Sequence, residues 1–174
     1  MQAALLIIDV QHALCSGEHK AFEVERVIER IDSVARKARS AGAAVVLIQR
    51  ESLDGPLRFG TQGWKLAQEL EALPTDIYVR KQATDSFPHT SLHSVLQERG
   101  VKSLVICGLQ SEFCVDTTTR RATPSCWSKT GTLGLATAAC RRRRSVRTTT
   151  KQSPTSPALG HALQPCPRVI FGLG

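Results

Sequence analysis

The 174-residue chain is predicted to form an α/β protein with an open parallel sheet and helices on both faces. Two observations support this prediction. Four short apolar runs are rich in Val, Ile and Leu and do not alternate with polar residues, as is typical of strands buried on both faces. Segments with helical periodicity separate these runs, so strands and helices alternate along the chain.

The strands and helices follow in order along the first 122 residues. Apolar residues recur at helical spacing from Val24 to Ala38 opposite a charged face, and Gly42 follows as a C-terminal cap, which predicts a βαβ crossover. Shorter helices are predicted at residues 64–73 and 91–99, the second capped by Thr90 or Ser91, and a fourth helix begins near Cys114. The predicted strands are residues 4–8, 44–48, 77–79 and 104–106.

Charge divides the chain into two parts. All 15 acidic residues precede Ala122 and residues 1–122 carry no net charge, whereas residues 123–174 hold the whole net charge of +8.

The opening segment has no basic region and meets Asp9, so neither a secretory signal nor a membrane span is predicted, and a cytoplasmic protein is expected. The six cysteines form no C-x-x-C pair, which favours reduced thiols over a zinc module or a dense disulfide scaffold.

Three reactive side chains follow predicted strands. Asp9 ends the first, Lys81 follows the third, and Cys114 follows the fourth after a "GLQSEF" loop. Ligands of such sheets bind beyond the carboxyl ends of the strands, where a base, a cation and a helix start can activate a thiol. Taken singly, Asp9 could cap a turn, Lys81 could be a solvated strand end and Cys114 a core residue; their convergence favours a catalytic site. Cys107, inside the fourth strand, is expected in the core.

Residues 4–122 resemble the isochorismatase-like cysteine hydrolases, through "LLIIDVQ", "GTQGWKLAQEL", "VRKQATDSFPHTSL" and "LVICGLQSEFCVDTTTRRA" in the order and spacing of that family. The resemblance implies a Rossmann-like three-layer fold. It implies Asp9 as general base, Cys114 as nucleophile and Lys81 as the cation that orients the pair and stabilises the thiolate. It also implies a cis peptide between Leu109 and Gln110, with the amides of Gln110 and Cys114 forming an oxyanion hole.

The activity implied is hydrolysis of an amide or ureido C–N bond in a small molecule through a thioester. The metal-binding D-x-H signature of nicotinamidases is absent from residues 49–60, so we expect no metal or other cofactor, and nicotinamide is disfavoured as substrate. Relatives commonly form homo-oligomers, which makes a homo-oligomer a possible assembly.

Other residues are candidates for contact with substrate or metal. Gln11 follows the first strand, and Trp64 and Phe87 could wall an apolar pocket, although aromatic residues at such positions are core as often. His89 and His93 lie four apart and are interpreted as being on one helix, but with no third ligand nearby a capping or solvent-facing role is favoured.

Residues 123–174 match no continuation of this family. They are basic, rich in Ser, Thr and Pro, and without acids, a composition that predicts disorder. We expect that a shifted reading frame, altered splicing or a gene-model error replaced the native C-terminal strands and helices, leaving the fourth strand an exposed edge. Two alternatives stay open: a catalytically impaired relative, and a protein whose arginine-rich tail binds nucleic acid or other polyanions nonspecifically.

Overall fold

The computed structural model describes residues 2–18 and 20–122, together with the backbone of residues 132–133. These residues fall within one compact unit, Met1–Arg142. The prediction of a disordered tail therefore lies almost wholly outside the described residues.

The four predicted strands are present, each slightly longer than its apolar run. They are β1 (Ala3–Ile8), β2 (Ala44–Arg50), β3 (Ile77–Lys81) and β4 (Ser103–Gly108). All pair in parallel, in the order β3-β2-β1-β4. The predicted open parallel sheet is confirmed.

The strand order reverses between β1 and β4. The chain runs outward from β1 through β2 to β3, then crosses to the other side of β1 to form β4. Ile8 at the end of β1 aligns with Ile48 on one side and with Gly108 on the other. A crevice beyond these carboxyl ends is where ligands bind in open α/β sheets.

Helices cover both faces of the sheet, as predicted. Helix α2 (Val24–Ser40) packs its apolar stripe against one face, and Gly42, with a φ of 70°, follows its end. Helix α3 (Leu92–Glu98) packs Leu92 and Leu96 against the other face. The remaining helices are a short α1 (His12–Cys15), a π-helical turn at Ser111–Val115, and α4 (Asp116–Arg121), which continues that turn.

The helix predicted at residues 64–73 is wrong, because turns occupy this segment. The carbonyl of Trp64 accepts hydrogen bonds from the side chains of Gln11 and Gln49, and Ala67 N–H donates to the carbonyl of Val10. These groups are bonded to the ends of β1 and β2 and so are not available for i to i−4 helical bonds.

The sheet also has a fifth strand that was not predicted. The backbone of β5 (Thr132–Leu133) pairs in parallel with Ser103 and Leu104 at the start of β4. The expectation that this edge of β4 is unpaired is therefore wrong for its first two residues. Within the described part of the chain, no helix is long and apolar enough to cross a membrane.

Candidate active site

Asp9 lies directly beyond β1, at the point where the strand order reverses. Its φ is 57°, an uncommon conformation for a residue other than glycine, and its N–H donates to the carbonyl of Ile48 at 2.8 Å. This bond fixes the backbone of Asp9 against the neighbouring strand. Only 1% of the residue is exposed.

Lys81 is the last residue of β3 and its side chain is fully buried. Its Nζ lies 3.2 Å from Oδ2 of Asp9 and donates to the carbonyl of Thr84 at 2.9 Å. A buried ammonium needs such partners, because unpaired burial of a charge is very costly. The pair thus joins the ends of β1 and β3 across the intervening β2.

Cys114 lies in the π-helical turn that follows β4, and it is buried against the core on the face covered by α3. The Asp9 carboxylate and the Lys81 ammonium both lie close enough to its thiol to shift the pKa of that thiol. Three side chains that are far apart in sequence therefore meet at one place, as their positions after β1, β3 and β4 suggested.

Electrostatics set the resting protonation of this cluster. The pKa of Cys114 is raised to about 11, chiefly by burial and then by the Asp9 carboxylate, against the opposing effect of Lys81. Burial also raises the pKa of Asp9, while Lys81 and the hydrogen bond with Cys114 lower it. At neutral pH the thiol holds its proton, so a nucleophile must be generated by transfer to a neighbouring base.

The loop before Cys114 carries the backbone groups proposed for an oxyanion hole. The peptide between Leu109 and Gln110 is cis, as the family resemblance implies. The carbonyl of Gln110 accepts a hydrogen bond from Phe113 N–H at 3.1 Å, whereas Gln110 N–H donates none to the described residues. That N–H is thus available to a ligand.

Gln11 is buried and its side-chain amide is used within the protein. Nε2 donates to the carbonyls of Arg50 at 2.9 Å and Trp64 at 2.7 Å, and Oε1 accepts from Arg50 N–H at 2.8 Å. Both donor hydrogens of the amide are therefore occupied. This geometry favours a positioning role for Gln11 over direct contact with substrate.

A cavity of about 800 Å³ adjoins the cluster at the carboxyl ends of β2 and β3. Lys81, Gln49 and Trp64 are among its walls, whereas Asp9, Cys114 and Phe87 are not. The indole of Trp64 packs edge-on against Phe59, and its Nε1 is buried without a hydrogen-bond partner among the described residues. Phe87 instead packs, half-buried, against the same core cluster as Cys114.

Sequence reasoning missed two polar contributions to the site. Gln49 extends from β2 into the cavity, and the hydroxyls of Ser86 and Thr118 form a buried hydrogen bond of 2.9 Å between the loop after Lys81 and helix α4. Thr118 follows Cys114 by four residues, one helical turn, which could have indicated its direction. Gln49 directly follows the apolar run of residues 44–48, and that position could have indicated a place in the site.

The histidine pair does not have the predicted arrangement. Helix α3 begins at Leu92, so His93 lies on it, whereas His89 precedes it with a φ of 56°. Among the described residues, no group of three or more His, Cys, Asp or Glu side chains is placed to hold a metal ion.

Comparison with known proteins identifies similar sequences and a similar fold. Streptothricin hydrolase of Streptomyces noursei is 40% identical over 120 residues, covering 68% of this chain and 44% of that protein. Ureidoacrylate amidohydrolase of Cronobacter turicensis is 29% identical over 157 aligned positions, covering 68% of this chain and 67% of that protein. A crystal structure of an isochorismatase family protein superposes with a TM-score of 0.70 at 32% identity, covering 77% of both chains.

The family assignment comes from the whole matched region. The chain spans less than half the length of the streptothricin hydrolase that it matches. The model of the Isochorismatase domain matches residues 3–125, which contain all the site residues described above. The chain therefore belongs to the isochorismatase family.

Proposed function

We propose that this protein is a cysteine hydrolase that cleaves a non-peptide C–N bond, in an amide or ureido group, of a small molecule. The observation that carries the proposal is the buried Asp9–Lys81 pair, close enough to the Cys114 thiol for both groups to shift its pKa. A carboxylate, an ammonium and a thiol in one buried cluster at a strand-order reversal form an activated-nucleophile arrangement. The names of two relatives, a streptothricin hydrolase and a ureidoacrylate amidohydrolase, support hydrolysis, the second specifically of an amide.

In the proposed acylation, the Asp9 carboxylate takes the proton of the Cys114 thiol as Sγ attacks the carbonyl carbon. The electron pair of the C=O bond moves to oxygen, where the N–H groups of Gln110 and Cys114 stabilise the charge. When the tetrahedral intermediate collapses, the C–N bond breaks and Asp9 returns the proton to the leaving nitrogen. The products of this half-reaction are ammonia or an amine and a thioester on Cys114.

Deacylation repeats these steps with water. Asp9 takes a proton from the attacking water, the C–S bond breaks, and the proton passes to Sγ, which regenerates the thiol. Lys81 holds the Asp9 carboxylate in place through their ion pair. No metal or cofactor takes part in these steps.

The raised pKa of Asp9 favours proton transfer from thiol to carboxylate. A carboxyl whose pKa is raised by burial is a stronger base than an exposed one, so it accepts the thiol proton at less cost. A thiolate with a high pKa is also an intrinsically stronger nucleophile. Burial thus makes thiolate formation harder but increases the reactivity of the thiolate formed.

The setting of the enzyme is also part of the proposal. We place the protein in the cytoplasm, where a thiol nucleophile stays reduced; Cys107 and Cys114 are free thiols. A homo-oligomer is proposed by likeness to the family. The net charge of +8 held by residues 123–174 supports nonspecific polyanion binding as a second property.

Substitution of the nucleophile and the base tests the catalytic assignment. Cys114→Ser and Asp9→Asn are each expected to lower kcat/KM for amide hydrolysis by about a thousandfold or more, because each removes a group needed for the first proton transfer. Ammonia release from a panel of primary amides and ureido acids measures the effect.

Cys107→Ala is the matched control. Cys107 is buried in the core on the opposite face, and burial alone raises the pKa of its thiol to about 12. This variant should keep its hydrolytic activity. Full turnover by Cys114→Ser would contradict the assignment of the nucleophile.

A further inference from the structure

Gln49 is a buried polar residue whose hydrogen-bonding capacity is only partly used. It is 4% exposed, and its Nε2 donates to the carbonyl of Trp64 at 3.0 Å. That bond fixes which end of the amide is the donor, because a carbonyl can only accept. Among the described residues, no group donates to Oε1 of Gln49, although the residue lines the cavity beside Lys81.

This pattern differs from that of Gln11, which donates to the same Trp64 carbonyl. Gln11 uses both donor hydrogens and its oxygen within the protein, whereas Gln49 leaves its oxygen without a protein partner. Buried polar groups are normally hydrogen-bonded, so an acceptor left over at a cavity wall requires a partner from the cavity. Oε1 of Gln49 is not among the fully buried atoms that lack a partner, so a water molecule or a substrate N–H in the cavity can reach it.

The position of Gln49 relates this acceptor to the reacting groups. Its neighbour Ile48 accepts the hydrogen bond from Asp9 N–H, and Arg50, on its other side, aligns with Lys81 in the sheet. Gln49 therefore lies on a central strand, between the residue that bonds Asp9 and the residue that aligns with Lys81. The adjoining wall is the indole of Trp64, whose carbonyl Gln49 itself holds in place.

We propose that Gln49 is a specificity-determining residue that accepts a hydrogen bond from an N–H group of the substrate. The substrates are then amides and ureides that keep an N–H, with a flat apolar portion placed against Trp64, and esters of the same acids are discriminated against. A site built to accept a hydrogen bond rejects an analogue lacking the donor, because the buried acceptor is then left unpaired. This assignment rests on the proposed amide hydrolysis and names the class of substrate.

A binding measurement tests this role without turnover. Trp64 is one of two tryptophans in the chain, so in the full-length Cys114→Ser, Trp127→Phe protein its fluorescence reports on the cavity wall alone. Titration with benzamide and with methyl benzoate compares two probes of similar shape, of which only the amide has an N–H. We expect benzamide to bind about fivefold more tightly, the effect of one net hydrogen bond.

Three substitutions in the Cys114→Ser, Trp127→Phe protein distinguish direct contact of Gln49 with the substrate from an indirect effect through the position of Trp64. Gln49→Met should abolish the preference for benzamide. Gln82→Met makes the same change at an exposed position of the same cavity and should keep the preference. Gln11→Met removes the other hydrogen bond to the Trp64 carbonyl; it should weaken both probes equally and also keep the preference.

The outcomes are distinct. Equal weakening of both probes by Gln49→Met would show that Gln49 only anchors Trp64 and would overturn the proposal. Equal affinities of the two probes before any change at Gln49 would also overturn it, whether or not Gln49→Met folds. Hydrolysis is measured separately with the protein that retains Cys114. If the catalytic proposal fails, that protein shows no turnover, while the Cys114→Ser, Trp127→Phe protein still prefers benzamide.

Discussion

The thiol of Cys114 combines a catalytic position with an unreactive resting state. Sequence position placed it beside a base and a cation, which together suggested a stabilised thiolate. Burial outweighs the nearby ammonium, and the pKa of the thiol is raised to about 11. The resting site therefore holds a protonated thiol, and Asp9 is needed to form the nucleophile in each cycle.

This resting state predicts a particular pH dependence for alkylation. Since only the thiolate reacts, the rate of iodoacetamide modification of Cys114 should rise about tenfold per pH unit from pH 7 to pH 10, without a plateau. The raised pKa means that the protonated form persists through this range. Peptide mass spectrometry after timed quenching measures modification at Cys114, and a plateau below pH 9 would indicate a preformed thiolate.

Two adjacent threonines on helix α4 differ in what their hydroxyls do. Thr118 bonds the hydroxyl and the N–H of Ser86, whereas the buried hydroxyl of Thr119 has no hydrogen-bond partner among the described residues. The first joins α4 to the loop that holds Lys81, because Lys81 donates to Thr84 in that loop. The same substitution at the two sites is therefore expected to have different effects on stability.

Thr118→Val should lower the free energy of unfolding by about 1–3 kcal/mol, because two buried groups of Ser86 lose their partner. Thr119→Val should change it by about 0.5 kcal/mol or less, or increase it, since an unsatisfied hydroxyl is removed. Urea denaturation of both variants gives the comparison. Equal losses would mean that the Ser86–Thr118 bond contributes no stability.

The contact between strands β1 and β4 depends on Gly108. This residue has a φ of 134°, and a Cβ atom there would overlap the carbonyl of Ile8 and lie 2.6 Å from its nitrogen. Strand β1 leads to Asp9 and β4 leads to Cys114, so the close approach of these strands brings the base to the thiol. A side chain at this position must separate the two strand ends.

Gly108→Ala should therefore lower the free energy of unfolding by about 3 kcal/mol or more. It should also lower kcat by on the order of tenfold or more, through displacement of the base from the thiol. Gly55→Ala is the matched control: its φ is 79°, but nothing lies within 4 Å of the added atom, so only about 1 kcal/mol of backbone strain is expected. Thermal unfolding and ammonia release measure the two effects, and equal losses in both variants would contradict the steric argument.

The N-terminal and C-terminal parts of the chain differ in net charge. Residues 1–122 are neutral and contain the candidate site, whereas the net charge of +8 lies wholly in residues 123–174, with four consecutive arginines at residues 141–144. The Isochorismatase domain match ends at residue 125, close to the change in composition. Electrostatic attraction to polyanions and hydrolysis should therefore be separable properties.

Replacing Arg141, Arg142, Arg143 and Arg144 with Gln should lower the salt concentration needed to elute the protein from heparin. Each lost cation lowers the number of counterions released on binding, so the affinity for heparin should depend less steeply on salt concentration. Hydrolysis of a small neutral amide should be unchanged, because residues 1–122 carry the site. Unchanged retention on heparin would indicate that another surface binds the polyanion.

The sequence was sufficient for the strands and for the convergence of Asp9, Lys81 and Cys114. Central strands of a parallel sheet are buried on both faces, so their apolar runs are continuous, and reactive residues directly after such runs must meet at one edge. Helix α2 could also be predicted from the sequence, since its apolar stripe repeats over four turns.

Three-dimensional packing determined the features that depend on contacts between residues far apart in the sequence. The carbonyl of Trp64 accepts hydrogen bonds from Gln11, beyond β1, and from Gln49 of β2, which prevented a helix at residues 64–73 that local pattern favoured. The acceptor left on Gln49 and the raised pKa of Cys114 likewise arise from burial and long-range hydrogen bonds. Local sequence carries propensity and periodicity, whereas these contacts exist only once the strands have been placed side by side.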